Sequence, residues 1–221
     1  MNITLQGAIA RQDIASAVDL EVSFEVEQSG PYTVVTFSGP DEEIFEAFLV
    51  SRYRRFYRLR DLEEGKVYPG RLVDVGKVGF GVYCAIGSER DVLLDLHGLR
   101  EVFSSTASTR QIIFSQGLVE GLCVEAEVTR IDRGLDRLWG RLSPAWIERT
   151  LIPGAVIVAG ISAETLSAAI ASSPFRDTTT MESLCERSHR IICSGITEPP
   201  GVVAYLGRKL REARFGIVGE R

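Results

Sequence analysis

The sequence has few of the side chains on which metal and acid–base chemistry depend. Its 221 residues include two histidines, His97 and His189, and four cysteines, none of which forms a Cys-x-x-Cys pair. This spacing excludes zinc-ribbon and thioredoxin-type sites. The sequence also lacks a Walker loop, a Gly-x-Ser-x-Gly elbow and a Gly-x-Gly-x-x-Gly turn between a strand and a helix. We therefore expect a protein that is not an enzyme and that binds no metal or cofactor.

Long apolar runs and targeting signals are missing as well. Residues 1–10 have neither the positive start nor the apolar core of a signal peptide, and the longest apolar run, residues 154–161, is too short to cross a bilayer. These absences favour a cytoplasmic protein with no membrane partner. In that compartment we expect reduced thiols that pack as small hydrophobic groups, at Cys84, Cys123, Cys185 and Cys193.

The chain has no excess of basic charge. It contains 25 Lys and Arg residues against 30 Asp and Glu residues, so its formal net charge is −5. The molecule as a whole is therefore not a basic nucleic-acid clamp, and binding of nucleic acid would need a local basic or aromatic face. Hydrophobic residues make up 45% of the chain, which excludes a mainly disordered protein.

The two ends of the chain show the same order of predicted elements. In residues 1–62 the pattern predicts a strand, a helix, a hairpin and a second helix, at residues 3–9, 12–20, 22–27 with 32–37, and 41–53. The first of these helices would turn Ile14, Ala17 and Val18 to one side. Residues 150–221 repeat this order and add a final strand, with the hairpin turn near residues 188–189. Strand-helix-strand-strand-helix-strand is the ferredoxin-like order.

The middle segment, residues 63–149, has a different pattern. It is rich in glycine, shows few helix signals, and contains five short β runs, at residues 67–75, 80–86, 91–96, 122–131 and 138–142. Five short strands with glycine-rich bends suit a small barrel. We therefore predict an α+β protein in which a five-stranded β-barrel is inserted between two ferredoxin-like segments.

Two stretches of the middle segment carry a recognisable set of motifs. Residues 65–83 contain a glycine, a strand with a second glycine, a turn, and an aromatic-Gly-x-aromatic sequence. Residues 121–132 follow a Gly-x-x-Val-x-x-x-Val-x-x-Ile-Asp frame. In this order the motifs resemble an S1-type RNA-binding domain, which is an OB-fold module. The resemblance implies that the middle segment binds single-stranded RNA.

The resemblance also assigns roles to particular residues. Phe80 and Tyr83 match the two aromatic residues on which bases stack in that family, although one or both could instead be core residues of the barrel. Asp132 and Arg137 match the polar pair that follows the fourth strand. Stacking of bases on aromatic rings contributes about 1–3 kcal/mol per base with little sequence preference.

One position departs from the S1 pattern. Family members often have a histidine in the third strand where this chain has Asp95, and an acidic residue there would repel phosphate. His97 lies two residues further on and is expected to face the same side of that strand. Residues 61–149 contain 11 basic and 14 acidic residues, so phosphate contacts would rest on a local cluster at Arg71, Lys77, Arg130, Arg133, Arg137 and Arg141. The predicted RNA-binding set is Phe80, Tyr83, Arg71, Lys77, His97, Arg130, Asp132, Arg137 and Arg141.

Three other features each allow two interpretations. Residues 52–60 hold five arginines interleaved with aromatic residues, which suits either a phosphate-binding surface or a solvated helix end. Residues 208–214 allow the same two interpretations. Residues 195–207 resemble the proline-glycine loop of ACT-type regulatory domains, which bind amino acids. The prolines Pro199 and Pro200 are also explained by helix-start geometry alone.

The chain as a whole resembles an archaeal family that is defined as a domain of unknown function. The residues that carry this resemblance are 75–82 and 193–201. In that family an S1-like domain lies between two α/β segments, which implies an archaeal, cytoplasmic protein. Our leading hypothesis is a non-enzymatic protein that binds single-stranded RNA or a ribonucleoprotein, in translation, RNA processing or transcription. The alternatives are a protein–protein adaptor and an ACT-like small-molecule sensor; the sequence does not predict an oligomeric state.

Overall fold

A computed structural model describes residues 1–16 and 19–219 of the chain. It divides the chain into two compact units. The first comprises Met1–Leu62 with Gly87–Glu89, and the second comprises Glu63–Ile86 with Arg90–Arg221. Apart from Gly87–Glu89, the middle segment and the C-terminal segment thus fold as one unit. The mixed α+β class predicted from the sequence is confirmed.

The first unit is a three-stranded antiparallel sheet with helices. Its elements are β1 (Asn2–Gln6), α1 (Arg11–Ala15), β2 (Ser23–Ser29), β3 (Tyr32–Ser38) and α2 (Glu42–Arg52), followed by a short 3-10 helix (Leu59–Asp61). The strand order is β1-β3-β2. Alternating apolar residues of β1 and β3 pack against α2, so that Leu5, Val35 and Leu49 are fully buried. The helix predicted over residues 12–20 is shorter, and Ala17 and Val18 lie outside the described residues.

The second unit begins with a closed five-stranded barrel, as predicted. Its strands are β4 (Val67–Val73), β5 (Gly81–Ala85), β6 (Val92–Asp95), β7 (Cys123–Asp132) and β8 (Arg137–Leu142). They follow one another around the barrel in the order β4-β5-β6-β8-β7. The pair β6–β8 is parallel, and the other pairs are antiparallel. The interior is filled by the buried residues Leu72, Val82, Cys84, Val92, Leu94, Val124, Ala126, Val128, Leu138 and Leu142.

Three helices of the middle segment were not predicted. They are α3 (Leu96–Val102), α4 (Thr109–Ser115) and α5 (Pro144–Thr150). Each follows a side chain that caps its first turn: Asp95, Ser108 and Ser143 accept hydrogen bonds from backbone N–H groups. Ser108 and the residue three positions later form a complete capping box. The helices are only seven residues long, so they lack the repeated apolar spacing from which longer helices are recognised.

The second unit ends with a four-stranded antiparallel sheet and two helices. In chain order these are β9 (Val156–Ala159), α6 (Ala163–Ala171), β10 (Thr179–Cys185), β11 (Ser188–Cys193), α7 (Pro199–Lys209) and β12 (Arg214–Ile217). The strand order is β10-β11-β9-β12. The turn predicted near residues 188–189 lies two residues earlier. His189 is therefore inside β11, fully buried, with Nε2 2.9 Å from the backbone oxygen of Ile161.

A disulfide joins the barrel to this sheet, which corrects the prediction of four reduced cysteines. Cys123 at the start of β7 is bonded to Cys185 at the end of β10, 62 residues later. The same two regions meet where the backbone N–H of Cys123 donates to Oγ of Ser188 at 3.0 Å. With the two cysteines 62 residues apart, no local sequence pattern predicts that they pair. Cys84 is buried and free, as predicted, and Cys193 is free and half-buried.

Within residues 1–16 and 19–219, the helices are all too short or too polar to span a membrane.

Candidate functional site

A row of outward-facing side chains crosses all five strands of the barrel. Its members are neighbours in register from strand to strand, in the order Val73, Tyr83, Leu93, Trp139 and Arg130. On either side of Tyr83, Leu93 and Trp139 the adjacent residues of the strand are buried in the barrel. Because side chains alternate along a strand, these five side chains lie on the outer surface. We call this set the central row.

Arginine and tryptophan stack at one end of the central row. The guanidinium carbon of Arg130 lies 4.9 Å from the ring centre of Trp139. A bulge between Val128 and Arg130 shifts the register of β7, which brings Arg130 opposite Trp139. Such a cation–π contact contributes about 0.5–1 kcal/mol at an exposed site. It keeps a flat, half-exposed indole and a positive charge together on the surface.

The two aromatic residues selected from the motif are both outside the barrel interior. Phe80 is 53% exposed, immediately before β5, and its backbone oxygen accepts a hydrogen bond from the N–H of Leu96 at 2.8 Å. Tyr83 is half-buried as part of the central row. The turn before Phe80 is held by Thr109, whose hydroxyl donates to the backbone oxygen of Gly79 at 2.8 Å. Their burial therefore does not support the alternative that both are core residues.

Arg141 belongs to the predicted RNA-binding set, but its charge is already compensated. Its guanidinium donates two hydrogen bonds to the carboxylate of Glu127, at 3.1 and 3.2 Å, and lies 3.6 Å from a carboxylate oxygen of Glu101. The hydrogen bonds and charge of Glu127 raise the pKa of Arg141. A phosphate at this position would have to compete with two carboxylates.

Lys77 and Arg71 are paired in the same way. The Lys77 ammonium donates to a carboxylate oxygen of Asp74 at 2.5 Å, and this contact raises the pKa of Lys77. Arg71 lies 3.8 Å from a carboxylate oxygen of Glu186 in the turn between β10 and β11. Both are surface ion pairs, which contribute little to stability but do reduce the charge offered to a ligand.

Arg137 and Asp132 face each other in register at the end of the β7–β8 hairpin. Asp132 shapes the turn, since its Oδ1 accepts hydrogen bonds from the N–H groups of Gly134 and Leu135 at 3.1 and 3.0 Å. The same carboxylate lies 3.8 Å from the guanidinium of Arg130. Among the residues that the structure describes, Arg137 has no ion-pair partner. It is the member of the predicted set whose charge is most available.

His97 does not lie where the sequence predicted. It is an exposed residue in the first turn of α3 and is not part of β6. Asp95, two residues earlier, ends β6 and caps α3 by accepting a hydrogen bond from the N–H of Gly98 at 2.7 Å. The acidic residue in the S1 histidine position is thus explained by helix capping.

The turn after β4 is acidic. Glu120 accepts hydrogen bonds from the backbone N–H groups of Asp74 and Val75 at 3.2 and 2.9 Å. Partial burial and the charge of Asp74 raise the pKa of Asp91. In the described part of the chain, no group of three or more His, Cys, Asp or Glu side chains is placed to hold a metal ion. This end of the barrel would repel phosphate.

Trp139 and Leu93 are members of the central row that the sequence analysis missed. The alternation of side chains could have identified both. Each lies between two apolar or small residues that are buried in a short strand, so its own side chain points outward. The second tryptophan, Trp146, is only 4% exposed. The two tryptophans therefore report on different parts of the unit, one on the surface and one in the core.

Two models of one protein family match both parts of the second unit. Residues 62–151 match the DUF2110 central domain, and residues 153–218 match the DUF2110 C-terminal domain. The chain belongs to the DUF2110 family. Its central domain contains the barrel and every residue of the predicted RNA-binding set, and its C-terminal domain contains the four-stranded sheet. No match is found among curated proteins.

The ACT-like loop of the DUF2110 C-terminal domain offers few free donors at the start of α7. Pro199 and Pro200 have no backbone N–H. The next two N–H groups, of Gly201 and Val202, donate to the backbone oxygen of Glu198 at 3.0 and 3.4 Å. A carboxylate ligand needs such groups free. The geometry therefore gives the amino-acid sensor hypothesis no support.

Proposed function

We propose that this protein binds single-stranded RNA, alone or within a ribonucleoprotein, on the outer face of its barrel. The observation that carries the proposal is the central row and its neighbour Phe80, which is 53% exposed. The ring of Tyr83 lies on the outer side of the barrel, and the guanidinium of Arg130 lies over the Trp139 ring at 4.9 Å, so that a base can stack on this guanidinium–indole pair. Rings exposed in this way provide faces on which bases can stack.

The barrel topology supports this proposal. We propose that the barrel is an S1-like OB fold, because its five strands close in the order first-second-third-fifth-fourth. OB folds bind oligonucleotides on the face of their second and third strands. Those strands here are β5 and β6, which contribute Tyr83 and Leu93 to the central row. We likewise propose a ferredoxin-like fold for the C-terminal segment, on its βαββαβ order and antiparallel sheet.

Stacking, more than charge, would supply the affinity of this face. Three exposed or half-exposed rings, of Phe80, Tyr83 and Trp139, can each contribute about 1–3 kcal/mol per stacked base. The ion pairs of Lys77 and Arg141 leave less charge for phosphates. Each phosphate contact on a single strand steepens the dependence of log affinity on log salt by about 0.7. We therefore expect this face by itself to give a shallow salt dependence.

The test uses the two tryptophans separately. In a Trp146→Phe variant the remaining Trp139 fluorescence should change as mixed-sequence single-stranded RNA is added, because a base stacks on the guanidinium–indole pair or displaces Arg130 from the ring. In a Trp139→Phe variant the buried Trp146 should show no such change. Fluorescence anisotropy of labelled RNA gives the affinity in parallel.

Removal of two rings should weaken binding strongly. The double variant Phe80→Ala/Trp139→Ala should lose at least roughly 30-fold in RNA affinity, because two stacking surfaces are removed. Phe114→Ala is the matched control, since Phe114 is 85% exposed but lies on α4, outside the central row. An unchanged affinity in the double variant, or an equal loss in the control, contradicts the proposal.

A protein–protein adaptor is the second candidate. The net charge of −5 and the ion pairs of the basic residues on the barrel favour it. Absence of RNA binding even at low salt, together with capture of a protein partner through Phe80 and Trp139, would establish the adaptor function instead.

We also propose that this protein is archaeal and cytoplasmic, as the family resemblance implies. The disulfide between Cys123 and Cys185 is compatible with this proposal, because intracellular proteins of hyperthermophilic archaea are rich in disulfides.

A further inference from the structure

Charge in the first unit is strongly segregated along the chain. Residues 1–51 contain one basic residue, Arg11, and nine acidic residues. Residues 52–60 contain five arginines and no acidic residue. We call residues 52–60 the arginine segment. A basic segment in an otherwise acidic unit is a local surface for an anion, although the unit as a whole is not basic.

The middle of the arginine segment, between the end of α2 and the 3-10 helix, is held in an extended conformation along β1. The N–H of Gln6 donates to the backbone oxygen of Arg54, and the N–H of Phe56 donates to the backbone oxygen of Thr4, both at 2.8 Å. The ring of Phe56 stacks on Tyr32 with ring centres 3.7 Å apart. The backbone is therefore ordered before any ligand arrives, and binding need not pay for that ordering.

Two of the five arginines are already compensated inside the unit. Arg55 donates to a carboxylate oxygen of Glu46 at 2.9 Å, and its guanidinium lies 5.2 Å from the ring centre of Tyr57. Arg60 lies 3.6 Å from a carboxylate oxygen of Asp61. The charges of these two side chains are therefore offset by acidic neighbours.

The other three arginines, Arg52, Arg54 and Arg58, have no ion-pair or hydrogen-bond partner for their side chains among the described residues. Arg52 ends α2, where the helix dipole favours a cation, but Arg54 and Arg58 lie outside any α-helix. Arg52 and Arg54 are exposed and Arg58 is half-buried. The helix-end interpretation therefore explains one of the three charges and leaves two without a structural reason.

We propose that Arg52, Arg54 and Arg58 form a phosphate-binding surface for single-stranded RNA on the first unit. The inference rests on the proposed function, and it identifies a second region of the chain that contacts the RNA backbone. Guanidinium groups match the bidentate geometry of phosphate oxygens, and RNA presents phosphates at regular intervals. The barrel offers stacking surfaces with few uncompensated cations, whereas the arginine segment carries three of them.

The experiment compares two triple variants of the full chain. Arg52→Ala/Arg54→Ala/Arg58→Ala removes the proposed surface. Its matched control is Arg100→Ala/Arg110→Ala/Arg176→Ala, which makes the same change in net charge at three exposed arginines of the second unit that lie outside residues 208–214 and outside the predicted RNA-binding set. RNA affinity is measured by anisotropy with a mixed-sequence RNA of roughly 16 nucleotides, the upper site size of an OB fold. Titrations are made at about 50 and 200 mM salt.

The arginine-segment variant should show a salt slope shallower than wild type by about 2, since three contacts contribute roughly 0.7 each on a single strand. The loss of RNA affinity caused by the three substitutions should therefore be roughly 20-fold larger at the lower salt concentration than at the higher one. The control should keep the wild-type slope. If the alanine variant fails to fold by circular dichroism, the corresponding glutamine variant retains the apolar stems and replaces it.

The outcomes separate this inference from the proposed function. RNA binding that is lost in Phe80→Ala/Trp139→Ala but unchanged in slope and affinity in the arginine-segment variant overturns the inference and leaves the proposed function in place. Equal losses in the arginine-segment variant and its control also overturn the inference. A wild-type chain that binds no RNA at either salt concentration overturns the proposed function and this inference with it.

Discussion

Replacement of one motif glycine should destabilise the barrel, while replacement of its neighbour should not. A Cβ atom added at Gly81 would lie 2.5 Å from the backbone oxygen of Leu94 and 2.9 Å from Cδ1 of Leu93. Both atoms belong to β6, which pairs with β5 at this point. A Cβ added at Gly79, two residues earlier in the same motif, would meet no atom within 4 Å. Both substitutions add one methyl group, which meets the atoms of β6 at residue 81 and open space at residue 79.

The expected magnitudes follow from this geometry. Gly81→Ala forces β5 away from a backbone atom, which cannot rotate aside, so the overpacking should cost about 1–3 kcal/mol. Gly79→Ala should be neutral or stabilise by up to about 1 kcal/mol, because alanine reduces the freedom of the unfolded chain. With a urea dependence of about 2 kcal/mol per molar, a loss of about 2 kcal/mol lowers the unfolding midpoint by about 1 M.

Urea unfolding followed by far-ultraviolet circular dichroism measures this difference directly. Because Gly81 lies between Phe80 and the central row, Gly81→Ala should also weaken RNA binding, whereas Gly79→Ala should not. Equal midpoints for the two variants would refute the reasoning that β5 approaches β6 too closely for a side chain at residue 81.

Two further predictions concern the disulfide and a carboxylate. Replacing Cys123 and Cys185 by alanine should lower the free energy of unfolding by up to about 4 kcal/mol, which is the chain-entropy value for a separation of 62 residues. A reductant should lower the urea midpoint of the wild-type chain and leave that of the variant unchanged. Burial and Asp74 raise the pKa of Asp91 above the ordinary value of 3.8, so the folded state binds this proton more tightly and loses stability as pH rises through that raised pKa. Asp91→Asn should therefore stabilise the chain at about pH 7 and lose this advantage at about pH 3, and an equal effect at both pH values would contradict the assignment.

Much of the barrel was predictable from local sequence. The five β runs were located within a few residues because buried apolar residues alternate along each strand and glycine marks the bends. The exposure of Phe80 was predictable from the aromatic-Gly-x-aromatic motif, although hydrophobicity alone would place a phenylalanine in the core. The seven-residue helices were missed because they are too short for a periodic pattern, although caps such as Asp95 were visible in the sequence.

The placement of the candidate site residues was only partly predictable. His97 was expected on the same side as the third strand, because an aspartate at residue 95 fits both a strand position and a helix cap, and only the structure shows that Asp95 caps α3. Trp139 was overlooked, because its neighbours in the central row come from strands that are distant in the chain. The role of each side chain in RNA binding stays a prediction until the variants are measured.

Local sequence decided which residues become strands, which caps begin helices, and which aromatic residues the motif presents. These properties depend on contacts within a few residues, and the chain encodes them directly. Only the tertiary structure decided that Cys123 is bonded to Cys185, that Arg141 is paired with Glu127, and that Arg130 covers Trp139. Each of these depends on strand register or on packing between distant segments, where a shift of one residue turns a side chain to the opposite face.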